Sequence, residues 1–498
     1  MKKTSKILSL VMASILSLSF VACGGGDNSG MGDGGGDERD ELVLKTNEGA
    51  TKKVSFEYLQ AGFGNDPYIA VANGYMERNP DVQIELIPNR QITSTTSNNL
   101  AANQGVADIY SYPYGNILKT WHSNGWLEDL TDLCAQQTID GRTMLESMTG
   151  SAADSMKIND RIYAVPEYTS LTGFIYNIEL FEQYGWQIPT TTAELKALCD
   201  QILADTNNSV APIVWCSDAE GYLYFATENW ISQYEGIQNM DKFYEFSSPE
   251  TYAMETNSAG SIYDSKYLAL ENLVDFFMPM NEGGYAHNNS RTLHNAPAQL
   301  KVIDKSAAMM LNGSWFENEM ALYLKEMPAK LGMFAVPELS DENGTVLRSA
   351  TFTSEDDKRV VSADYGAYYF IPTSAANKEQ AKDFLLYLSS EEACALYTQY
   401  SNAVRPFQYD VSKTSALYSK VGDFGKSVLE MADQHYLYAP VSNNALALKG
   451  KGGLWPRGKR VESEITQSGG STDPNYYLQQ DYNFVLSQWE DWMELIGQ

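Results

Sequence analysis

Val54-Ser55-Phe56-Glu57-Tyr58, then Asp66-Pro67-Tyr68, then Val82-Gln83-Ile84-Glu85-Leu86-Ile87 follow one another near the start of the chain. The first run alternates apolar and polar residues and reads as a half-buried strand. Asp66-Pro67 reads as an N-cap and a first helical residue, leading a helix over residues 68–79. Residues 82–87 read as a second strand, closed by Pro88. A helix over 95–104 ends at Gly105, and Asp108-Ile109-Tyr110 is a third, short strand. Strand–helix–strand units of this length imply right-handed crossovers, a mostly parallel sheet and an α/β fold.

The alternation continues downstream. Helical patterns cover residues 194–203 (after Pro189-Thr190), 265–277, 314–326, 378–388 and 391–399, and an amphipathic one covers 484–496. Residues 211–215 and 307–311 read as strands, and the polar stretch 341–357 as a surface excursion. No internal repeat is visible. With 498 residues, 43% of them hydrophobic, the chain can fill a sizeable core. Against 35 Lys and Arg stand 64 Asp and Glu, for a formal charge of −29. That excess excludes the basic footprint of a nucleic-acid binder and wide electrostatic attachment to anionic lipid. The 32 Tyr suit a recognition surface that needs an apolar body with a polar tip.

The first residues set the compartment. Lys2, Lys3 and Lys6 precede an apolar run over 7–21, which has the form of a secretory leader and is short for a membrane span. Phe20-Val21-Ala22-Cys23 resembles a bacterial lipobox, in which the Cys is lipidated after cleavage. The glycine-rich, polar stretch 24–40 buries nothing and reads as a tether. The expected arrangement is a soluble protein held by a lipid on Cys23 at the outer face of the bacterial cell membrane, or in the periplasm. Losing residues 1–22, with three lysines and no acid, leaves a charge of −32.

No pattern of catalysis emerges. His122, His287, His294 and His435 form no metal-binding spacing. Residues 453–459 imitate the start of a phosphate loop, but Arg460 stands where Ser or Thr must meet magnesium. Among 64 acids a glycosidase pair is neither visible nor excluded. Cys134, Cys199, Cys216 and Cys394 are scattered and read as small buried residues, although export permits one bridge. The expectation is binding without reaction, with no cofactor and no metal.

Several segments, in order, resemble the family 1 extracellular solute-binding proteins of ABC transporters, such as the maltose-binding proteins. These are Gly105-Val106-Ala107-Asp108-Ile109-Tyr110, Asn124 to Asp132, and Asp160-Arg161-Ile162-Tyr163-Ala164-Val165-Pro166. They continue with Gly173-Phe174-Ile175-Tyr176-Asn177, Pro189 to Leu195, Ala307 to Trp315, and Ile371-Pro372-Thr373-Ser374 followed by Ala381, Phe384 and Leu385. Asp160-Arg161 departs from the usual Asp-Gly, and nothing after Arg405 is matched. The resemblance implies a two-lobed, type II periplasmic-binding-protein-like fold with a hinge. Residues 1–22 are then the signal peptide and 23–51 the lipidated Cys and tether. Residues 52–164 plus 364–400 form lobe 1, and 165–363 plus 401–498 form lobe 2. It further implies a sugar or oligosaccharide bound between the lobes and presented to ABC permease subunits. Two alternatives stay open: an exported carbohydrate-active enzyme, and a binding protein for a non-sugar solute.

A sugar offers flat C–H faces to aromatic rings and a hydroxyl rim to Asp, Glu, Asn and Arg. The resemblance puts Trp315 against ligand, and Glu167 and Tyr168 near it. Strand ends facing the cleft add Asp108, Tyr112, Tyr114 and Asn65, beside Asp66 as the cap. Asp364 and Tyr365 lie at the second lobe crossing. Trp230, Arg405 and Trp455, the last with Arg457, complete the candidates.

Overall fold

The computed structural model describes residues 42–113, 115–155, 157–218, 222–253, 261–352, 359–440, 444–458 and 460–497. The leader, Cys23, Tyr114 and Lys459 lie outside the described residues. The strands are β1 (Lys52–Leu59), β2 (Val82–Asn89), β3 (Ile109–Tyr112), β4 (Lys157–Ile158), β5 (Arg161–Ile162) and β6 (Val165–Asn177). They continue with β7 (Ala211–Val214), β8 (Ala307–Gly313), β9 (Leu331–Phe334), β10 (Val360–Phe370) and β11 (Tyr436–Tyr438). β4 and β5 pair only with each other; the other nine form one sheet in the order β2-β1-β3-β10-β6-β8-β7, with β11 on β10 and β9 on β6.

β6 and β10 explain the architecture. Each is long enough to serve two halves of the sheet. Near one end of their pairing Val165 opposes Tyr369, and β3 joins there through Tyr112 opposite Tyr368. At the other end Leu171 opposes Ala363, and β6 runs on to pair β8 and β9. Between the ends the register slips on both sides of Ala367. A bulge of this kind bends a strand and re-aims its side chains. Gly366 sits inside it, and a Cβ there would lie 2.1 Å from the Tyr168 ring.

The expected mostly parallel sheet is a mixed one. β1–β2, β1–β3, β7–β8 and β10–β11 are parallel, whereas β10–β3, β10–β6, β6–β8 and β6–β9 are antiparallel. The two crossing strands run opposite to each other, so they impose antiparallel neighbours on both halves. Asp66 is the first helical residue of Asp66–Arg78, and Asn65 is its N-cap. The helix expected over 314–326 is two short ones, Phe316–Glu319 and Ala321–Glu326, because the chain turns at the buried Met320. The C-terminal helix starts earlier than expected and spans Pro474–Leu495, capped by Asp473, which accepts from Asn475 N at 3.0 Å.

Each half has its own core. Phe56, Val71, Ile84, Phe384 and Tyr397 belong to the first. Phe174, Ile202, Trp230, Phe277 and Met309 belong to the second, which also takes in Trp455, Tyr477 and Trp492 from the C-terminal stretch. Ala403 and Phe407 join the first core, whereas Val421, Phe424 and Leu429 pack around Ile175 and Met310 in the second half. The four cysteines are buried and unbridged. No helix among the described residues is long and apolar enough to cross a membrane.

Candidate functional site

A cavity of about 370 Å³ opens where the two halves and the C-terminal stretch meet. Lys119, on the helix Gly115–Ser123, and Tyr368 line it from the first half. Asp364 and Tyr365 come from the crossing strand, Tyr224 and Glu228 from the helix Tyr224–Glu235, and Arg460 from the C-terminal stretch. A second cavity of about 500 Å³ shares Tyr244 and Ala439 with the first and is lined by Ser151, Asp154, Asp241, Tyr438 and Asn444, among others. Both volumes lie in the range of small-molecule sites.

The local structure aims these groups. Arg460 is the N-cap residue of the helix Val461–Thr466, so its side chain leaves the helix start rather than following its axis. Its guanidinium lies 4.0 Å over the Tyr224 ring, and Nη1 stands 3.5 Å from Glu228 Oε1. Glu228 is about a third exposed and lines the cavity. That enclosure pushes its carboxyl up to about 8, against the pull of Arg460. Asp364 is exposed to the same space, and the surrounding walls push its carboxyl up too, with a Ser170 hydrogen bond opposing. Ser151 Oγ and Tyr365 Oη share a hydrogen bond of 3.1 Å, and Ser151 Oγ also donates to Ala439 O at 2.6 Å. Loop 150–155 of the first half is thereby pinned to the crossing strand and to the C-terminal stretch.

Beside the cavity runs an aromatic seam. Trp315 is half-buried; its ring centroid lies 5.9 Å from that of Tyr222 and 6.1 Å from that of Phe225. Phe225 in turn lies 4.4 Å from Tyr224. Trp315 comes from the second half, yet a Cβ on Gly62, in the loop after β1, would sit 3.2 Å from its own Cβ. Next along that loop, Phe63 meets Tyr168 edge-on at 4.9 Å. The seam is therefore where the halves touch.

Of the sequence candidates, Asp364 and Tyr365 line the cavity, and Trp315 and Tyr168 line the seam. Asn65 lies at the end of the Gly62–Phe63 loop, and its Oδ1 accepts from Tyr58 Oη at 2.9 Å. Tyr114 lies outside the described residues.

The others turn inward. Asp108 precedes β3 rather than ending it, so it sits at the far end of that strand from the crossing. It accepts from Ser55 N at 2.9 Å and from Asn377 N at 2.8 Å; burial raises its carboxyl, but these bonds outweigh burial and hold it below the usual range. Tyr112 is buried against Trp121 and Phe370. Glu167 is fully buried and accepts from Ser111 Oγ; burial pushes its carboxyl up while the nearby Arg405 opposes. Arg405 itself donates to Tyr369 Oη at 2.8 Å and to Leu388 O at 3.0 Å, beneath the crossing. Trp230 is a core residue donating to Pro337 O at 2.9 Å, and Trp455 donates to the buried Glu462 at 2.7 Å. Arg457 pairs with Asp481 and Glu464 and ties the C-terminal helices together. Each of these is engaged inside the protein, although Glu167 Oε1 and Arg405 Nε are buried without a hydrogen-bond partner.

Sequence reasoning passed over Lys119, Tyr224, Glu228, Tyr368 and Arg460. In the sequence alone Arg460 shows only as a misfit in a phosphate loop. The Tyr222–Tyr224 pair and Tyr368, four residues after Asp364, carried the one usable signal, tyrosine beside acid.

Comparison with known proteins agrees with this architecture. Residues 52–394 match the family described as bacterial extracellular solute-binding protein. The multiple sugar-binding protein of Streptococcus mutans is 20% identical over 406 residues, covering 79% of this chain and 84% of that protein. Among solved structures, apo RafE from Streptococcus pneumoniae superposes with a TM-score of 0.61 at 15% identity, covering 87% of this chain and 97% of RafE. The GacH receptor of Streptomyces glaucescens gives 0.56 at 18% identity, covering 89% and 98%. The two halves are accordingly the lobes of a periplasmic-binding-protein-like fold, joined through β6 and β10. Matched over more than half its length, the chain belongs to the bacterial extracellular solute-binding protein family.

Proposed function

We propose that this protein is the sugar-binding receptor of an ABC importer, taking a sugar or oligosaccharide between its lobes and presenting it to permease subunits. The observation that carries the reading is the lining of the interlobe cavity: tyrosine and serine hydroxyls with two carboxyls, a lysine and a guanidinium, beside an aromatic seam. Such a wall matches a ligand with apolar faces and a hydroxyl rim. The names of the relatives support it. One is a multiple sugar-binding protein, RafE has been solved with raffinose, and GacH with acarbose. We place lobe 1 at residues 52–164 plus 364–400, with Ala403 and Phe407 also packed in its core, and lobe 2 at 165–363 plus the rest of 401–498. The ligand contacts are Asp364, Tyr365, Trp315 and Tyr168, with Asn65 and Tyr114 on the loops of the first lobe, and Tyr224, Glu228 and Arg460, which line the same cavity. Residues 1–22 act as a signal peptide, and a lipid on Cys23 holds the protein at the outer face of the membrane.

A thermal-shift and calorimetric screen of mono- and oligosaccharides tests the reading. A saccharide at 100 times its Kd adds about 2.7 kcal/mol to stability and raises Tm, and chromatography recovers it unchanged. Stabilisation by a peptide or polyamine with no response to any saccharide would sink the sugar assignment. Conversion of an oligosaccharide to products, lost on replacing Asp364 or Glu228, would make the protein an enzyme.

A further inference from the structure

The interlobe cavity holds more positive charge than a neutral sugar needs. Lys119 lines it from the first lobe, half-buried. Its ammonium has no carboxylate partner and no hydrogen-bond acceptor among the described residues; burial is the one influence on it, and pushes its pKa down. A partly desolvated cation without a counter-charge is costly in the empty protein, and that cost is returned when a ligand supplies the anion. Arg460 lines the same cavity from the opposite lobe, held flat by the Tyr224 ring. Held so, it keeps a planar fork of N–H donors, a shape that fits a carboxylate.

Two acids share this space, and their position weakens them as counter-charges. Glu228 Oε1 stands 3.5 Å from Arg460 Nη1, and enclosure pushes its carboxyl up to about 8. The same enclosure pushes Asp364 up. Neither acid pairs with Lys119, so the cavity keeps one cation without a counter-charge beside it, although the whole chain carries −29. That overall charge acts from the surface and is screened beyond about 10 Å at 0.1 M salt.

We propose that the cavity is built for an acidic saccharide, a sugar or oligosaccharide bearing a carboxylate of the uronic acid type, with the carboxylate received by Lys119 and Arg460 and the hydroxyls by Asp364 and the tyrosines. The proposal rests on the sugar-binding reading and narrows it. Arg460 lies beyond the residues matched to the family, so the C-terminal stretch supplies one of the two contacts that set specificity.

The test is calorimetry of the purified protein with galacturonate and glucuronate mono-, di- and trisaccharides, each set against its own methyl ester and its neutral hexose counterpart. The acid form should bind about tenfold tighter than its ester, the worth of one charge-assisted hydrogen bond. Lys119→Gln and Arg460→Gln should each bring the acid-to-ester ratio towards one; Lys119→Met and Arg460→Lys serve where those fail to fold. The comparison of acid with ester in the unaltered protein decides without any variant. If neutral saccharides or esters bind and the acids bind no better, the acidic-ligand proposal falls while the sugar reading stands. If no saccharide of either kind binds, both fall.

Discussion

Trp315 and Glu228 make opposite demands on the same site. Trp315 offers an aromatic face at the seam, and its ring also covers Gly313, where a Cβ would lie 2.1 Å from it. Trp315→Ala should weaken saccharide binding about tenfold in calorimetry, in line with the roughly 0.5–1.5 kcal/mol of an aromatic contact. Binding unchanged by the substitution would remove the seam from the site. Glu228 has a different signature. Its folded pKa, about 8, lies above the ordinary value of 4.5, so the folded state holds its proton more tightly than the unfolded chain. The stabilisation is therefore complete below pH 4.5 and is lost as pH rises to about 8. Glu228→Gln cannot ionise, so its Tm relative to the parent should climb between pH 5 and pH 8. A difference independent of pH would contradict the assignment. Candidates of this kind were half legible in the sequence. Asp364 and Tyr365 were found because they follow a recognisable lobe crossing. Arg460 was not, because Glu228 and Tyr224, which give it meaning, lie far away in sequence, and no local pattern brings them together.

At the scale of elements, the crossing is the informative piece. β6 is buried along nearly its whole length, with only Tyr168 and Tyr176 part-exposed. Burial on both faces erases the alternation by which a strand is read, so its two ends were legible as separate motifs and its continuity was not. The same effect misplaced Asp108: β3 is buried at all four positions, and its true end at Tyr112 carried no polar marker. The helices fared better, since caps are local. Thr191 and Glu194 form a reciprocal capping box, with Glu194 N donating to Thr191 Oγ1 at 3.3 Å, and that pair stands in the sequence at the expected spacing. The bulge at Gly366 makes its own prediction. Gly366→Ala forces a Cβ against the Tyr168 ring and should cost about 1–3 kcal/mol by chemical denaturation. Tyr168→Ala in the same chain should recover most of that loss, whereas an additive double variant would show that the clash is not the cause.

For the whole molecule, two extended strands join the lobes, and slipped register lies between them. Lobes joined in this way close by a hinge rather than by sliding of packed faces. Small-angle scattering should therefore record a smaller radius of gyration when the saccharide that raises Tm is added. An unaltered curve at saturation would mean that ligand enters without closure.

The shared strands also order events during folding. β10 completes the sheet of the first lobe by covering β3, yet it lies more than 240 residues further along the chain than β3. The first lobe cannot mature while it emerges; it must wait with the edge of β3 open. Contacts this distant in sequence slow folding, and an open edge invites pairing with another chain. A fragment ending before Val360 should accordingly aggregate rather than behave as a small folded domain. A chain of this design gains its shape late, and depends on whatever shields β3 in the interval.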